Sequence, residues 1–190
     1  TFGVNSILIG AIARLNPIKF FKHVWPAMVI GFTTQSSIGS IPANHKCLKK
    51  AGVSDSISSF ALPLGATVGM PGCAGVWPTI LAVFAIQSLN IEYSLAQYAL
   101  LVIIATLVSV GTVGVPGTST ITATAVFAAA GLPIEVIVIF APISSIADMA
   151  RTATNVTTSA ASALIVAKTE NELDLEKYNA KAEKSYLATN

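Results

Sequence analysis

Charge is what this sequence has least of. Only 11% of its 190 residues are charged, less than half of the roughly 25% usual in soluble globular domains. Between Ala51 and Ala167 the charged residues are Asp55, Glu92, Glu135, Asp148 and Arg151 alone. No water-facing surface of ordinary polarity can be built from that stretch, so it reads as membrane-embedded. Apart from Arg151, Lys and Arg fall at two ends, 14–50 and 168–190, without a dense basic run, which excludes nucleic acid as a partner. Cys47 and Cys73 lack CxxC spacing, so neither a disulfide framework nor a zinc site follows. The chain opens at Thr1 with no basic region ahead of an apolar one; it is expected to be a fragment without a signal peptide.

Catalytic machinery is missing too. Hydrolysis inside a membrane needs a Ser with a His or Lys base, two Asp, or HExxH. The apolar region has one Asp at depth and no His; His23 and His45 lie near the feet of the first apolar unit. No enzyme and no cofactor are expected. Gly114-Val115-Pro116-Gly117 is not followed by Gly-Lys-Ser/Thr and is no phosphate loop. Asn155-Val156-Thr157 matches a glycosylation sequon, but its depth rules that use out.

What is present is apolar: 53% of residues, with a mean hydropathy of +0.71. Membrane-spanning helices need about 20 apolar residues in a row, yet glycine, proline and hydroxyl residues interrupt nearly every run here. The pattern predicts an all-α membrane protein in six segments. Residues 1–16 end a preceding transmembrane helix and form a cytoplasmic connection. Residues 17–52 form a re-entrant hairpin with a polar tip at 34–42 and lysines on both feet, cytoplasmic by the positive-inside tendency. Residues 53–90 form a transmembrane helix broken within 65–75, where glycines and Pro71 make an unbroken helix improbable. Residues 91–131 repeat the hairpin from outside, with a tip at 111–117. Residues 132–167 form the last transmembrane helix, long enough to tilt, bend or project, and 168–190 form a cytoplasmic tail. Hairpin, broken span, hairpin and long span, entering from opposite sides, make an inverted repeat. In secondary transporters such a repeat points to a substrate site near the bilayer midplane.

On the last span, Ser144, Asp148, Arg151, Thr152, Asn155 and Ser159 share one helical face. Intramembrane charges are costly, so they should pair, face an aqueous cavity or meet a charged ligand. An Asp148–Arg151 pair alone would be structural, but Thr152 and Asn155 exceed what it requires. A guanidinium suits a carboxylate and a carboxylate suits an ammonium group. Together they describe an amino acid with a second carboxylate.

Several ordered motifs then coincide: Asp148-Met149-Ala150-Arg151-Thr152-Ala153-Thr154-Asn155, Ser36-Ser37-Ile38-Gly39-Ser40-Ile41-Pro42, Gly65-Ala66-Thr67, and Gly111-Thr112-Val113-Gly114-Val115-Pro116-Gly117. The chain resembles the C-terminal half of the dicarboxylate/amino acid:cation symporters, the glutamate transporter family. That resemblance implies the transport domain of the glutamate-transporter fold, in the cell membrane with its C-terminus cytoplasmic. It also implies a homotrimer formed through N-terminal helices not in this chain. The implied function is symport, coupled to Na+ or H+, of an anionic amino acid or dicarboxylate such as glutamate or aspartate. Substrate groups would be Asp148 for the amino group, Arg151 for a carboxylate, Thr152, Asn155, Gln35, Ser37, Val115, Ser119, and Cys73 in place of the usual Thr. A carbonyl-built sodium site would map to Thr67, Ser109, Val110 and Thr112 beside Met70, and a second ion position to Gly65 and Asn155. The sequence departs from the family where Asn-Met-Asp-Gly-Thr becomes Gly69-Met70-Pro71-Gly72-Cys73 and where Ser159 replaces Asp. Those changes remove ion ligands and predict fewer coupled cations. Gly72-Cys73-Ala74-Gly75-Val76-Trp77-Pro78 is closer to the bacterial cystine-uptake branch, so L-cystine is the alternative substrate. A channel-like protein is the alternative of a different class, separable by its inability to accumulate solute.

Overall fold

The computed structural model describes residues 1–180 and is helical almost throughout, without strands among the described residues. Part of the predicted tail, 181–190, lies outside the described residues. In chain order the helices are α1 (Phe2–Leu8), continued by a π-helical turn Ile9–Ala13, α2 (Pro17–Thr34), α3 (Ile41–Lys50) and α4 (Asp55–Thr67). A second π-helical turn, Pro71–Val76, leads into α5 (Trp77–Ser88), α6 (Leu95–Ser109), α7 (Thr118–Ala130), α8 (Glu135–Ile139), α9 (Ala141–Thr169) and α10 (Leu175–Asn179).

Local chemistry sets most boundaries. Asn16 caps α2 by accepting the Ile18 N–H at 2.9 Å, with Pro17 at the first helical position. Ser94 and Gln97 form a capping box at α6. The broken span is less unwound than its glycines suggest: only 68–70 leave the helix, and Pro71–Val76 continues as a π-helical turn. The long last span is divided at Phe140, just before Pro142 enters the first turn of α9. α9 alone, at 29 residues, runs about 44 Å, more than a bilayer core of about 30 Å.

Two apolar clusters hold the chain together. One joins Phe20, Val24, Leu48 and Leu62 to the C-terminal half of α9 through Ala160, Ala163 and Leu164. The other joins α5, α6, α7 and α8 through Leu81, Ala85, Leu101, Val126, Phe127 and Ile137. The second π-helical turn links a helix of the first cluster to a helix of the second, and α9 lays its polar stripe against it. Outward-facing apolar side chains are abundant: Ile103, Leu107, Ile121, Val138, Ile139 and Ile146 are all more than half exposed. Such an exterior suits lipid or further protein better than water.

At the lysine-rich end the chain closes on itself. Val53 and Leu173 form an antiparallel bridge, Asp174 N–H donates to the Gly52 carbonyl at 2.8 Å, and the Ser54 hydroxyl donates to the Glu172 carboxylate. Tyr178 is buried, and its hydroxyl donates to the Asn16 carbonyl at 2.8 Å. His23 donates through Nε2 to the Tyr178 carbonyl at 3.1 Å. Burial pushes the Tyr178 hydroxyl up to about 12, so it stays a donor at neutral pH. Asp174 is held below the usual carboxylate range by the Lys177 backbone N–H first and its ammonium second. Its contribution to stability is therefore complete above the unfolded carboxyl value, about 4, and drains only as pH falls through the lower folded value.

Gly52 has φ +89°, and a Cβ there would strike the Asp174 carbonyl. Gly52→Ala should cost more than about 1 kcal/mol and raise amide exchange across 172–178, whereas Tyr178→Phe should cost about 1 kcal/mol. Unchanged exchange in Gly52→Ala would show that this tie does not hold the tail.

Candidate functional site

α9 presents Asp148, Arg151, Thr152, Asn155 and Ser159 on one face, all buried. The second π-helical turn comes close enough to hydrogen-bond them because Gly72 has no side chain: a Cβ there would sit 2.7 Å from the Arg151 carbonyl. Asn155 Oδ1 accepts the Gly72 N–H at 2.8 Å and its Nδ2 donates to Cys73 Sγ at 3.0 Å. The Cys73 thiol donates to Asp148 Oδ1 at 3.5 Å, and the Cys73 carbonyl accepts the Thr122 hydroxyl at 3.0 Å. One turn thus ties α9 to α7.

Arg151 is 7% exposed and Asp148 5%. Arg151 Nη2 donates to Asp148 Oδ1 at 3.1 Å, the Ser144 carbonyl at 2.7 Å, the Ser144 hydroxyl at 3.2 Å and Ser119 Oγ at 3.0 Å. The guanidinium also lies over the Trp77 ring, 4.1 Å from its centroid, an attractive arrangement for a desolvated cation. Nε and Nη1 are buried with no acceptor. A guanidinium carries five N–H donors, so four contacts converge on one nitrogen while the three N–H groups on the other two are unfilled. Once turned toward the cavity next to Asp148, such donors could take an oxygen-bearing anion.

A cavity of about 360 Å³ opens beside this pair, lined by Asp148, Ser144, Ser145, Ser119, Thr120, Ala141, Gln35, Pro116 and Gly117. Gln35 ends α2 with φ +53° and donates to the Ser145 carbonyl at 3.3 Å. The turn after α2 meets the turn after α6 at one carbonyl, Gly114 O, which accepts the Ile38 N–H at 3.2 Å and the Ser36 hydroxyl at 3.4 Å. Of the residues picked out in the sequence, Gln35, Ser119 and Asp148 line this cavity; Arg151 and Cys73 bond to Asp148 behind the lining, and Asn155 bonds to Cys73. Thr152 is buried on the same face. Ser37 is buried against Gly114. Val115 lies outside the lining; its N–H donates to the Val113 carbonyl and its own carbonyl accepts the Thr118 hydroxyl. Trp77 and Thr122 were not among the expected site residues. Trp77 follows the small-residue turn directly, where an aromatic ring has room to lie on α9; Thr122 left no signal.

The residues suggested as sodium ligands lie around the second turn. Gly114 abuts the Ala66 carbonyl and Met70 Sδ at the end of α4, and Thr112 donates to the Ser109 carbonyl at 3.0 Å at the end of α6. The Thr67 hydroxyl is turned back on the Pro63 and Leu64 carbonyls, 3.1 Å from each. Helix-end carbonyls are hard oxygen donors and suit a sodium ion taken up as cargo. The second position differs: Ser159 lies against Gly65, and its hydroxyl donates to the Asn155 carbonyl at 3.0 Å. A hydroxyl there is neutral and brings no charge to offset that of a cation.

The chain matches the sodium:dicarboxylate symporter family over residues 1–169. It is 36% identical over 178 residues to the L-cystine uptake protein TcyP of Bacillus thuringiensis (strain Al Hakam), covering 93% of this chain and 38% of the relative. It is 33% identical to the proteins of the same name from Bacillus licheniformis and Shouchella clausii, over 92% and 93% of this chain and 38% of each relative. The chain thus spans little more than a third of the curated relatives it matches.

Burial makes the ion pair energetically asymmetric. Arg151→Gln should strip Asp148 of its counter-charge and destabilise the protein by about 3–5 kcal/mol, whereas Asp148→Asn with Arg151→Gln should cost less than the sum of the single changes. Thermal unfolding of the four proteins in one detergent checks this; simple additivity would mean the two groups are not coupled.

Proposed function

The chain belongs to the sodium:dicarboxylate symporter family, and on that premise we propose that it is the substrate-carrying part of a cation-coupled symporter for L-cystine. The observation that carries the reading is the buried Asp148–Arg151 pair, with unfilled guanidinium N–H groups, beside a cavity between two chain turns. L-Cystine has an ammonium and a carboxylate at each end. One end's ammonium would engage Asp148 and a carboxylate would take the open donors of Arg151. Cys73 on Asp148 and the Trp77 ring over Arg151 put soft, polarisable groups next to the pair, which suits a disulfide-bearing ligand. The name borne by the relatives supports this choice. Glutamate or aspartate would meet the same pair of charges and is the second reading.

In this reading α2–α3 and α6–α7 are re-entrant hairpins of an inverted repeat, the lysine-rich end with the tail is cytoplasmic, and the turn at 111–117 is the external gate. The trimer forms through parts of the protein outside this chain. One sodium ion is held by Thr67, Ser109, Val110 and Thr112 beside Met70, ordering the second hairpin. The position at Gly65 and Asn155 is not used, because Ser159 brings it a neutral hydroxyl and no carboxylate.

The test is uptake by the full-length protein in liposomes, with sodium and proton gradients imposed separately. L-Cystine should accumulate against its gradient and L-glutamate should compete weakly. The sodium dependence should have a Hill coefficient near one, or be missing if protons drive transport. Preference for L-glutamate would move the assignment to the second reading. A coefficient near three would contradict the ion count, and equilibration without accumulation would indicate a channel.

A further inference from the structure

Away from the ion pair, a cavity of about 590 Å³ lies at the lysine-rich end, between the end of the first π-helical turn, the end of α9 and α10. Arg14 stands on one wall and Lys168 on another. Three other cations of this end are engaged: Lys19 donates to Asn179 Oδ1 at 2.8 Å, Lys49 to Asp55 at 2.8 Å and Lys177 to Asp174 at 3.1 Å. Arg14 and Lys168 have no partner among the described residues.

Of the remaining polar groups of the lining, the Tyr178 and Thr169 hydroxyls donate to the Asn16 and Val166 carbonyls, and the two asparagines offer donors. Asn16 spends Oδ1 on the Ile18 N–H, and Asn179 spends its own on Lys19, leaving the NH₂ end of each amide. Among the described residues no Asp or Glu lines the cavity. Arg14 also sits at φ +53°, a conformation that a residue other than glycine keeps only where its surroundings impose it. The Leu15 N–H, donating to the Ile9 carbonyl at 3.3 Å, locks that turn. Ile12 borders the cavity, and Ile7 and Ile12, 68% and 54% exposed, lead along the first helix toward it. A recess with two cations and two free amide donors, reached by an apolar track, matches an amphiphile with an anionic head.

We propose that this cavity binds the phosphate of an anionic phospholipid, held between Arg14 and Lys168 and the two asparagine amides, with the acyl chains along Ile7 and Ile12. A guanidinium accepts a phosphate through paired N–H groups and an ammonium adds a point charge. The site rests on reading this end as a membrane–water interface. Nanodiscs expose both leaflets, so its test does not depend on which side is cytoplasmic.

The full-length protein is placed in nanodiscs of phosphatidylcholine alone or mixed with phosphatidylglycerol. Retained lipid is counted by native mass spectrometry, and the unfolding midpoint is followed in parallel. Phosphatidylglycerol should be retained and should raise the midpoint. Arg14→Gln with Lys168→Gln should weaken retention about thirtyfold, at about 1 kcal/mol per cation, and each single change about fivefold, which decides the matter if the double variant does not fold. Lys22→Gln with Lys46→Gln, two cations of the same end outside the cavity, should change nothing, and Arg14→Lys should keep most of the effect. Equal loss in the Lys22/Lys46 control would reduce the effect to general attraction and overturn the site, as would undiminished retention in the double variant. If inorganic phosphate in lipid-free detergent gives the same protection, dependent on Arg14 and Lys168, the ligand is a soluble phosphate and the lipid assignment fails.

Discussion

A carboxylate and a guanidinium held against each other on α9, out of water, set the terms for what packs around them. Removing two charges from water costs several kcal/mol each, and their mutual attraction offsets this only with further hydrogen bonds. Ser144, Ser119 and Cys73 supply those bonds and Trp77 a π-face. They come from three places: α9 itself, α7, and the second π-helical turn with Trp77 directly after it. The pair is therefore satisfied only when α9, α7 and the second π-helical turn are all in place, and it leaves Arg151 Nε and Nη1 unfilled. An anionic ligand would supply what the protein itself withholds.

The surrounding fold follows from bringing backbone close to that pair. Gly72 lets the π-helical turn lie on the Arg151 backbone, and the two hydrophobic clusters grip α9 and α7 on either side of the polar layer. Irregular backbone at membrane depth persists only where protein or an aqueous cavity surrounds it. The turns at 35–40 and 110–117 meet that condition together: they hydrogen-bond through Gly114 and both border the cavity beside Asp148.

Much of this was legible because it is local. The periodic spacing of Asp148, Arg151, Thr152 and Asn155 marks one face of a helix, and the glycine- and proline-rich tips mark the turns between helices. Family membership, reached first from ordered motifs, agrees with the match over 1–169. What could not be read depends on contacts distant in sequence. The Val53–Leu173 bridge joins residues with no shared pattern, and the tie of Tyr178 to Asn16 and His23 exists only once the chain has folded back. Pro71 and the glycines near it signalled a break, but the rescue of 71–76 as a π-helical turn comes from Asn155 and Thr122 across the interface. Trp77 has no polar signature in the sequence; its position over Arg151 is a product of that same turn.

The central claim is that both charges of the α9 pair are given over to one ligand. Competition against radiolabelled L-cystine bound to the full-length protein tests it directly, using cystamine, which has both amines and no carboxylate, and 3,3′-dithiodipropionate, which has both carboxylates and no amine. With each analogue failing to satisfy one member of a buried pair, at a cost of about 3 kcal/mol or more, both should bind at least about a hundredfold more weakly than L-cystine. Displacement by either analogue at concentrations close to those of unlabelled L-cystine would contradict the account, because one of the two charges would then take no part in binding.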